Sequence, residues 1–269
     1  MLRALLFWPG LVLVTAFVCT LILLTAPFDR RGRIIQRYSR LWARTNLRLA
    51  GVRVRLAAAG PLPPDRAHVF VANHQSTIDV FVLGAVLPGQ YRWVVKQELF
   101  SIPILGRAML RAGYVPIDRE EPRRSRSGFS RAAAVLAAGD SLVVFPEGTR
   151  SADGRLQPFK RGAFALAQAA GSPVVPVAVI GSREVLAPGS YRLRPGTVRV
   201  ELAPAIPSTG PSQMELAAQA RAAIAARLAP QTNAEGASRS SEPPPAGSSR
   251  ENELPPPPRG PRSAGLRPS

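Results

Sequence analysis

Val69-Phe70-Val71-Ala72-Asn73-His74-Gln75-Ser76-Thr77-Ile78-Asp79 begins as a strand and ends inside the first turn of a helix. Val69–Ala72 is a short β-branched run, and Ile78–Leu87 continues with helical composition. The same alternation extends in both directions. Val52–Leu56, Trp93–Val95, Tyr114–Ile117, Leu142–Phe145, Val174–Ile180 and Val198–Leu202 read as further strands. Ile104–Ala112, Gly128–Ala138 and Gly162–Ala170 read as helices between them, and the Ala-rich Pro211–Leu228 closes the series. Strands alternating with helices predict an α/β fold, with a mixed, mostly parallel central sheet flanked by helices.

The whole chain has 269 residues, of which 46% are hydrophobic and 19% charged, enough for one core-forming domain with appendages. Its single cysteine, Cys19, excludes a disulfide framework, a Cys-based zinc site and an iron–sulfur cluster. Two histidines, His68 and His74, leave little room for a His-rich metal site. The formal net charge of +18 asks for an acidic partner: nucleic acid, an anionic membrane surface or a phosphorylated substrate. Residues 1–66 hold eleven arginines against Asp29 and Asp65, half of the excess.

That basic quarter flanks an apolar run. Ala4 to Phe28 is 25 residues without a charge. As a helix such a run reaches ~37 Å, against a hydrocarbon core of ~30 Å. Pro9-Gly10 is expected to break its first turn or two, which still leaves ~28 Å. The run exceeds the ~7–15 apolar residues of a signal peptide, so an uncleaved membrane-anchoring helix is expected. Arg30, Arg31, Arg33, Arg37, Arg40 and Arg44 outnumber Arg3 and the amino terminus, which places the remainder on the cytoplasmic side of the inner membrane. Arg37, Arg40, Arg44 and Arg48 then fall on one face of a helix, with Ile34, Tyr38, Leu41, Trp42 and Leu49 supplying an apolar face. Such a helix suits anionic lipid, or packs on the domain with its charges solvated. A spanning helix and a helical hairpin dipping into one leaflet both fit.

Chemistry concentrates where strands end. His74 closes a strand, and Asp79, five residues on, can meet it across the turn, fixing the imidazole tautomer and stabilising its cation. Ser76-x-x-Asp79 equally suits a helix N-cap, with His74 structural. Two other strand ends weigh in. Gly113-Tyr114-Val115-Pro116-Ile117-Asp118-Arg119 leaves an arginine just past a strand, and Phe145-Pro146-Glu147-Gly148-Thr149-Arg150-Ser151 leaves Glu, Gly, Thr and Arg past another. Parallel strands would bring these together, because ligands bind outside the carboxyl ends of strands in open α/β sheets. The shared site would hold a base (His74), two phosphate-capable guanidiniums (Arg119 and Arg150) and a glycine that admits close approach (Gly148). Asp118 reads as structural, and Glu147 as a residue that orients an arginine or bonds a substrate hydroxyl.

Asn-His-Gln-Ser-x-x-Asp from 73, Gly-x-x-x-Ile-Asp-Arg from 113, Phe-Pro-Glu-Gly-Thr-Arg-Ser from 145 and Val175-Pro176-Val177-Ala178 occur in this order. Together they resemble the four blocks of the glycerolipid acyltransferase family, nearest its bacterial 1-acyl-sn-glycerol-3-phosphate acyltransferases. Lys96-Gln97-Glu98-Leu99 and Phe159-Lys160-Arg161-Gly162 are similar to that family too, and the likeness spans roughly residues 65–185. The resemblance implies a transferase of lipid metabolism. In it His74 deprotonates the sn-2 hydroxyl of lysophosphatidate for direct attack on the thioester of acyl-CoA or acyl-carrier protein, and Asp79 orients His74. Arg119, Glu147, Gly148, Thr149 and Arg150 would hold the acceptor's glycerol phosphate, and Pro176 would help shape the acyl or acceptor site. No metal and no cofactor is implied beyond the acyl donor.

The chain lacks a Gly-x-Ser-x-Gly elbow, a P-loop and a dinucleotide fingerprint, which agrees with direct attack by an activated acceptor. The expected division is an anchor with its basic segment over 1–50, an acyltransferase domain over 51–230 and a disordered Pro-rich tail over 231–269. That tail has nine prolines and almost no apolar anchors. Expected partners are membrane lipids, lysophosphatidate and the acyl donor, and no nucleic acid, since no aromatic-interleaved basic platform occurs in the body. Other acceptors (glycerol 3-phosphate, a lyso-ornithine lipid) and a non-catalytic membrane-tethered binding protein are the competing readings.

Overall fold

The computed structural model describes residues 2–229, apart from 59, 61, 63–65 and 119–121. Arg119 and the tail from 231 lie outside the described residues. The chain begins with α1 (Leu2–Thr25) and α2 (Arg33–Ala50), followed by β1 (Val52–Ala58), β2 (Val69–Ala72) and α3 (Ile78–Val86). Next come β3 (Tyr91–Lys96), a 3₁₀ turn (Gln97–Ser101), α4 (Pro103–Arg111), β4 (Val115–Ile117), α5 (Pro122–Ala137) and β5 (Ser141–Val144). The series ends with α6 (Gly162–Ala169), β6 (Val174–Ile180), α7 (Ser182–Val185), β7 (Gly196–Leu202) and α8 (Gln213–Leu228).

The seven strands form one sheet in the order β1-β7-β6-β2-β5-β3-β4. β2 lies parallel to both β5 and β6, and β3 lies parallel to β5 and β4. β7 runs antiparallel to β6, with β1 parallel to β7. The sheet is therefore mixed and mostly parallel, flanked by helices, as the alternating pattern predicts. The carboxyl ends of β2, β4 and β5 all emerge at one edge.

Successive side chains of a strand point to opposite faces, so β2 serves two cores. Phe70 and Ala72 join Phe7, Ala43, Leu47, Phe81, Leu83 and Val143 beneath α1–α3. Val69 and Val71 join Leu142, Phe164, Leu166 and Leu216 beneath the other layer. All four residues of β2 are buried, so the strand carrying the His74 segment is packed on both faces.

α1 continues through Pro9, where a break was expected. Proline costs the turn before it one hydrogen bond. That turn is held from outside, because Phe7 packs edge-on against Phe81 and Trp8 Nε1 donates to the Tyr191 carbonyl at 3.3 Å. Farther along, Trp42 Nε1 donates to Thr15 Oγ1 at 2.9 Å, and Val18, Cys19 and Ile22 pack against Ala108 and Ala112 of α4. α1 is long and apolar enough to cross a membrane by length and composition, yet it lies against the domain along much of its length.

α2 corrects a second expectation. Its buried face is Ile35, Gln36, Ser39, Ala43, Asn46, Leu47 and Ala50, while Ile34 and Leu41 are exposed. Small residues let α2 settle closely onto α3, with Ala43 against Gly84. Arg40 turns away from the other arginines and donates to the carbonyls of Leu87 and Gly89. Buried Arg92 ties the hairpin down further, pairing with Asp140 at 2.7 Å and reaching Gln36 Oε1 at 3.4 Å. The composition shift at residue 50 is thus no break in packing, since residues 1–230 form one compact unit.

Candidate active site

β2 and β5 are adjacent and parallel, with Phe70 facing Val143 and Val71 facing Val144, so the segments leaving them run side by side. They are also stitched together. His74 N–H donates to Glu147 Oε1 at 2.6 Å, and Ser151 N–H donates back to the His74 carbonyl at 2.8 Å. On the other flank, the Asn73 carboxamide pairs with both backbone groups of Val179 in β6, at 2.7 and 2.9 Å. Asn73 thereby continues the sheet by side chain where its backbone leaves it. Val175-Pro176-Val177-Ala178 forms the buried middle of β6, and the Pro176 carbonyl accepts from Ala203 N–H at 2.9 Å.

His74 Nδ1 lies 2.9 Å from Asp79 Oδ2. The same oxygen accepts the backbone N–H of Gln75 at 2.7 Å and of Ser76 at 2.8 Å. Both roles open to Asp79 are therefore present at once, since it secures the first turn of α3 and holds the imidazole. Thr77 occupies the N-cap without a side-chain bond, and Ser76 just before it does the capping: its hydroxyl accepts the Ile78 N–H at 3.1 Å while donating to the Leu186 carbonyl at 2.6 Å. A carboxylate only accepts, so Nδ1 carries the proton in the neutral ring, and Nε2 makes no hydrogen bond among the described residues. Asp79 is fully buried and His74 16% exposed, so the open nitrogen belongs to the partner that solvent can reach.

Phe145 stacks on the imidazole with centroids 3.9 Å apart and planes 12° from parallel, and Trp93 backs Phe145 at 5.9 Å. The ring of His74 is held in plane by Phe145 and in rotation by Asp79. Phe145 was legible only as the end of a strand; its place beneath the imidazole needs the parallel pairing of β2 with β5.

Glu147 is buried and spends both oxygens on backbone amides, Oε1 on His74 and Oε2 on Gln157 at 2.9 Å. Among the described residues it bonds no arginine. Burial pushes its carboxyl above the ordinary glutamate range, opposed by those two N–H donors. A raised folded-state pKa means that folding favours the protonated form. The stability it contributes is full below the ordinary glutamate value and is lost as pH rises through the raised one. Glu147→Gln is expected to flatten that part of the stability-versus-pH curve, measured as denaturant midpoints. An unchanged slope would mean that the carboxyl is equally ionised in both states.

Gly148 turns at φ 81°, a conformation that a side chain resists, and the Lys160 side chain crosses where its Cβ would be. Thr149 and Arg150 are exposed. Arg150 donates to Thr77 Oγ1 at 2.7 Å, three residues from His74, so one guanidinium stands at the same strand ends as the imidazole. Asp118 follows β4 at this edge and, with Ile117, Val144, Phe145, Pro146 and Lys160, lines a cavity of about 290 Å³. Arg119, next in sequence, lies outside the described residues. Among the described residues, no three of His, Cys, Asp and Glu cluster as metal ligands would.

A stacked, carboxylate-held imidazole beside an arginine at a sheet edge can take a proton from a hydroxyl whose neighbouring phosphate the arginine grips. Comparison with known proteins supplies the family. The family described as Acyltransferase matches residues 53–180. The 1-acyl-sn-glycerol-3-phosphate acyltransferase of Chlamydomonas reinhardtii is 33% identical over 86% of this chain and 70% of its own length. The human 1-acyl-sn-glycerol-3-phosphate acyltransferase alpha is 37% identical over 60% of this chain and 58% of its own. The crystal structure of the 1-acyl-sn-glycerophosphate (LPA) acyltransferase from Thermotoga maritima shares the fold, with a TM-score of 0.72 at 24% identity over 83% of this chain and 92% of that one. With a third of the aligned residues identical to an algal relative across more than two thirds of that protein, the chain belongs to the acyltransferase family.

Proposed function

We propose that this chain is a 1-acylglycerol-3-phosphate O-acyltransferase of phospholipid synthesis. It moves an acyl group from acyl-CoA or acyl-carrier protein to the sn-2 hydroxyl of lysophosphatidate, giving phosphatidate. The observation that carries the reading is the 2.9 Å pairing of His74 Nδ1 with buried Asp79, at the strand end where Arg150 also stands. His74 Nε2 takes the hydroxyl proton as the oxygen attacks the thioester carbonyl. The C–O bond forms, the C–S bond breaks, and the imidazolium returns its proton to the departing thiolate. Asp79 stabilises the imidazolium. Arg150, with Arg119, grips the acceptor phosphate, Gly148 and Thr149 leave room for the glycerol, and Glu147 sets the backbone on which His74 stands. The names of the algal and human relatives support this substrate class.

Arg150→Ala is expected to raise the KM for lysophosphatidate more than it lowers kcat, because a charge-assisted bond to phosphate forms before the transition state. Losing one such bond costs ~1.5–3 kcal/mol, which is about a 10–150-fold rise in KM. Steady-state kinetics on vesicle-borne acceptor, with monoacylglycerol as the phosphate-free control, measure it. Equal penalties on both acceptors would remove Arg150 from the phosphate site.

Residues 1–50 are the membrane anchor in this reading, with the acyltransferase domain over 51–230 on the cytoplasmic face of the inner membrane. α1 exposes Leu5, Leu6, Val12, Leu13, Phe17 and Leu24, an apolar surface on a helix already docked to the domain. Such a helix lies lengthwise in one leaflet, where acceptor and product reside.

A further inference from the structure

We propose that Leu99–Arg111, the 3₁₀ turn and α4, is a second membrane contact, which seats on anionic phospholipid beside the mouth of the site. The starting observation is an apolar surface that the anchor helix does not cover. Leu99, Ile102, Ile104 and Leu110 are between 41% and 52% exposed. Four large apolar side chains left open within twelve residues are unlike the scattered exposure of an ordinary soluble surface. Arg107 and Arg111, one helical turn apart on α4, are also exposed and form no ion pair among the described residues. Between residues 96 and 111 the lone acid is Glu98, which Lys96 holds at 2.8 Å. Apolar side chains interleaved with guanidiniums match an acyl–headgroup boundary carrying negative charge.

Position favours a bilayer over another occupant. The turn leaves β3 at the sheet edge from which His74 and Arg150 also emerge. α4 packs Ala108 and Ala112 against Val18, Cys19 and Ile22, so its outer face borders the open apolar row of α1. The turn is packed tightly onto the helix, because Gly106 leaves no space for a Cβ against the Phe100 carbonyl and its N–H donates to the Ile102 carbonyl at 2.7 Å. A recess of about 510 Å³, walled by Phe100, Leu110 and Pro116 with Glu98 beside them, adds exposed Arg131 to Arg107 and Arg111. Contacts on both sides of the site would hold its mouth at headgroup depth, so that lysophosphatidate enters sideways from the leaflet.

The proposal rests on the membrane reading of α1, and the experiment separates the two. In the full chain carrying Cys19→Ala, an environment-sensitive fluorophore is attached to Ile104→Cys, to Leu13→Cys on α1 or to Gln219→Cys on α8, whose layer covers the other face of the sheet. Phosphatidylcholine vesicles with and without 30% phosphatidylglycerol are then added, about that fraction being enough for a negative surface potential. The expected result is a blue-shifted, enhanced signal at positions 104 and 13 and none at 219. Unlabelled Arg107→Gln/Arg111→Gln is expected to lose about 30-fold in affinity for the anionic vesicles, at about fivefold per charge, and to keep its affinity for neutral ones. That variant should also retain its turnover of detergent-dispersed lysophosphatidate while slowing on vesicle-borne acceptor.

Insertion at 13 with position 104 left in water would overturn this proposal and spare the anchor. Silence at both would overturn both. A response at 104 to an acidic carrier protein, or to rising protein concentration without lipid, would reassign the surface to a protein partner or a second copy. Insertion at 104 in a chain that acylates no lysophosphatidate would uphold the membrane contact and end the functional reading.

Discussion

Alanine at position 74 is expected to lower kcat for acyl transfer by about 10²–10⁴-fold, the range a positioned general base supplies. The fold should survive. The backbone bonds of residue 74 to Glu147 and Ser151 do not involve the imidazole, and the losses are its bond to buried Asp79, worth about 1–3 kcal/mol, and its stacking on Phe145, worth about 1 kcal/mol. Because the base acts only as the hydroxyl attacks, the KM for lysophosphatidate should change little. Product formation in membranes, followed by mass spectrometry beside a thermal unfolding curve, tests both halves. A folded His74→Ala protein with ordinary turnover would show that the proton leaves by another route.

Asp79→Asn is expected to cost about 10²–10³-fold in kcat, from losing a unit charge worth ~4 kcal/mol or less for charge centres about 4 Å apart at an effective dielectric near 20. This falls short of the ~10⁴-fold loss that follows when a carboxamide imposes the wrong tautomer. The difference comes from the two backbone N–H groups of Gln75 and Ser76, which already point at the oxygen facing His74. An asparagine there must present its carbonyl to those donors, and that carbonyl goes on accepting from Nδ1. Asp79→Ala removes the acceptor altogether and leaves those two buried donors unpaired, at ~1–3 kcal/mol each. It should lose stability as well as rate. A carboxamide variant as slow as His74→Ala, with its unfolding midpoint unchanged, would show that the ring had lost its tautomer after all.

Much of this was legible in the sequence because both periodicities are strong. Each of the seven apolar runs is a strand, and the inference that three polar segments meet required their strands to be parallel. β2, β4 and β5 are parallel, and the segments after β2 and β5 lie side by side; Arg119, after β4, lies outside the described residues. What escaped prediction depends on contacts between residues far apart in the chain. Nothing local in Phe145 marks it as the floor under an imidazole 71 positions earlier. Glu147 looked free to meet substrate, and only the folded chain shows both its oxygens occupied by backbone. Arg40 belonged by spacing to a row of arginines, yet the carbonyls of Leu87 and Gly89 draw it inward. The expected break at Pro9 failed for a similar reason, since packing of Phe7 and Trp8 outweighs one missing bond.

The reciprocal amide bonds between residues 74 and 147–151 have a practical consequence for protein engineering. The peptide that carries His74 and the peptide that carries Arg150 share one frame, so neither can be transplanted alone. A chimera that imports one of these loops from a relative with different acceptor preference would inherit a mismatched seam. Exchanging the two as a matched set, together with the residue at 179 to which Asn73 is fastened, is the smallest graft that keeps the register of the donor.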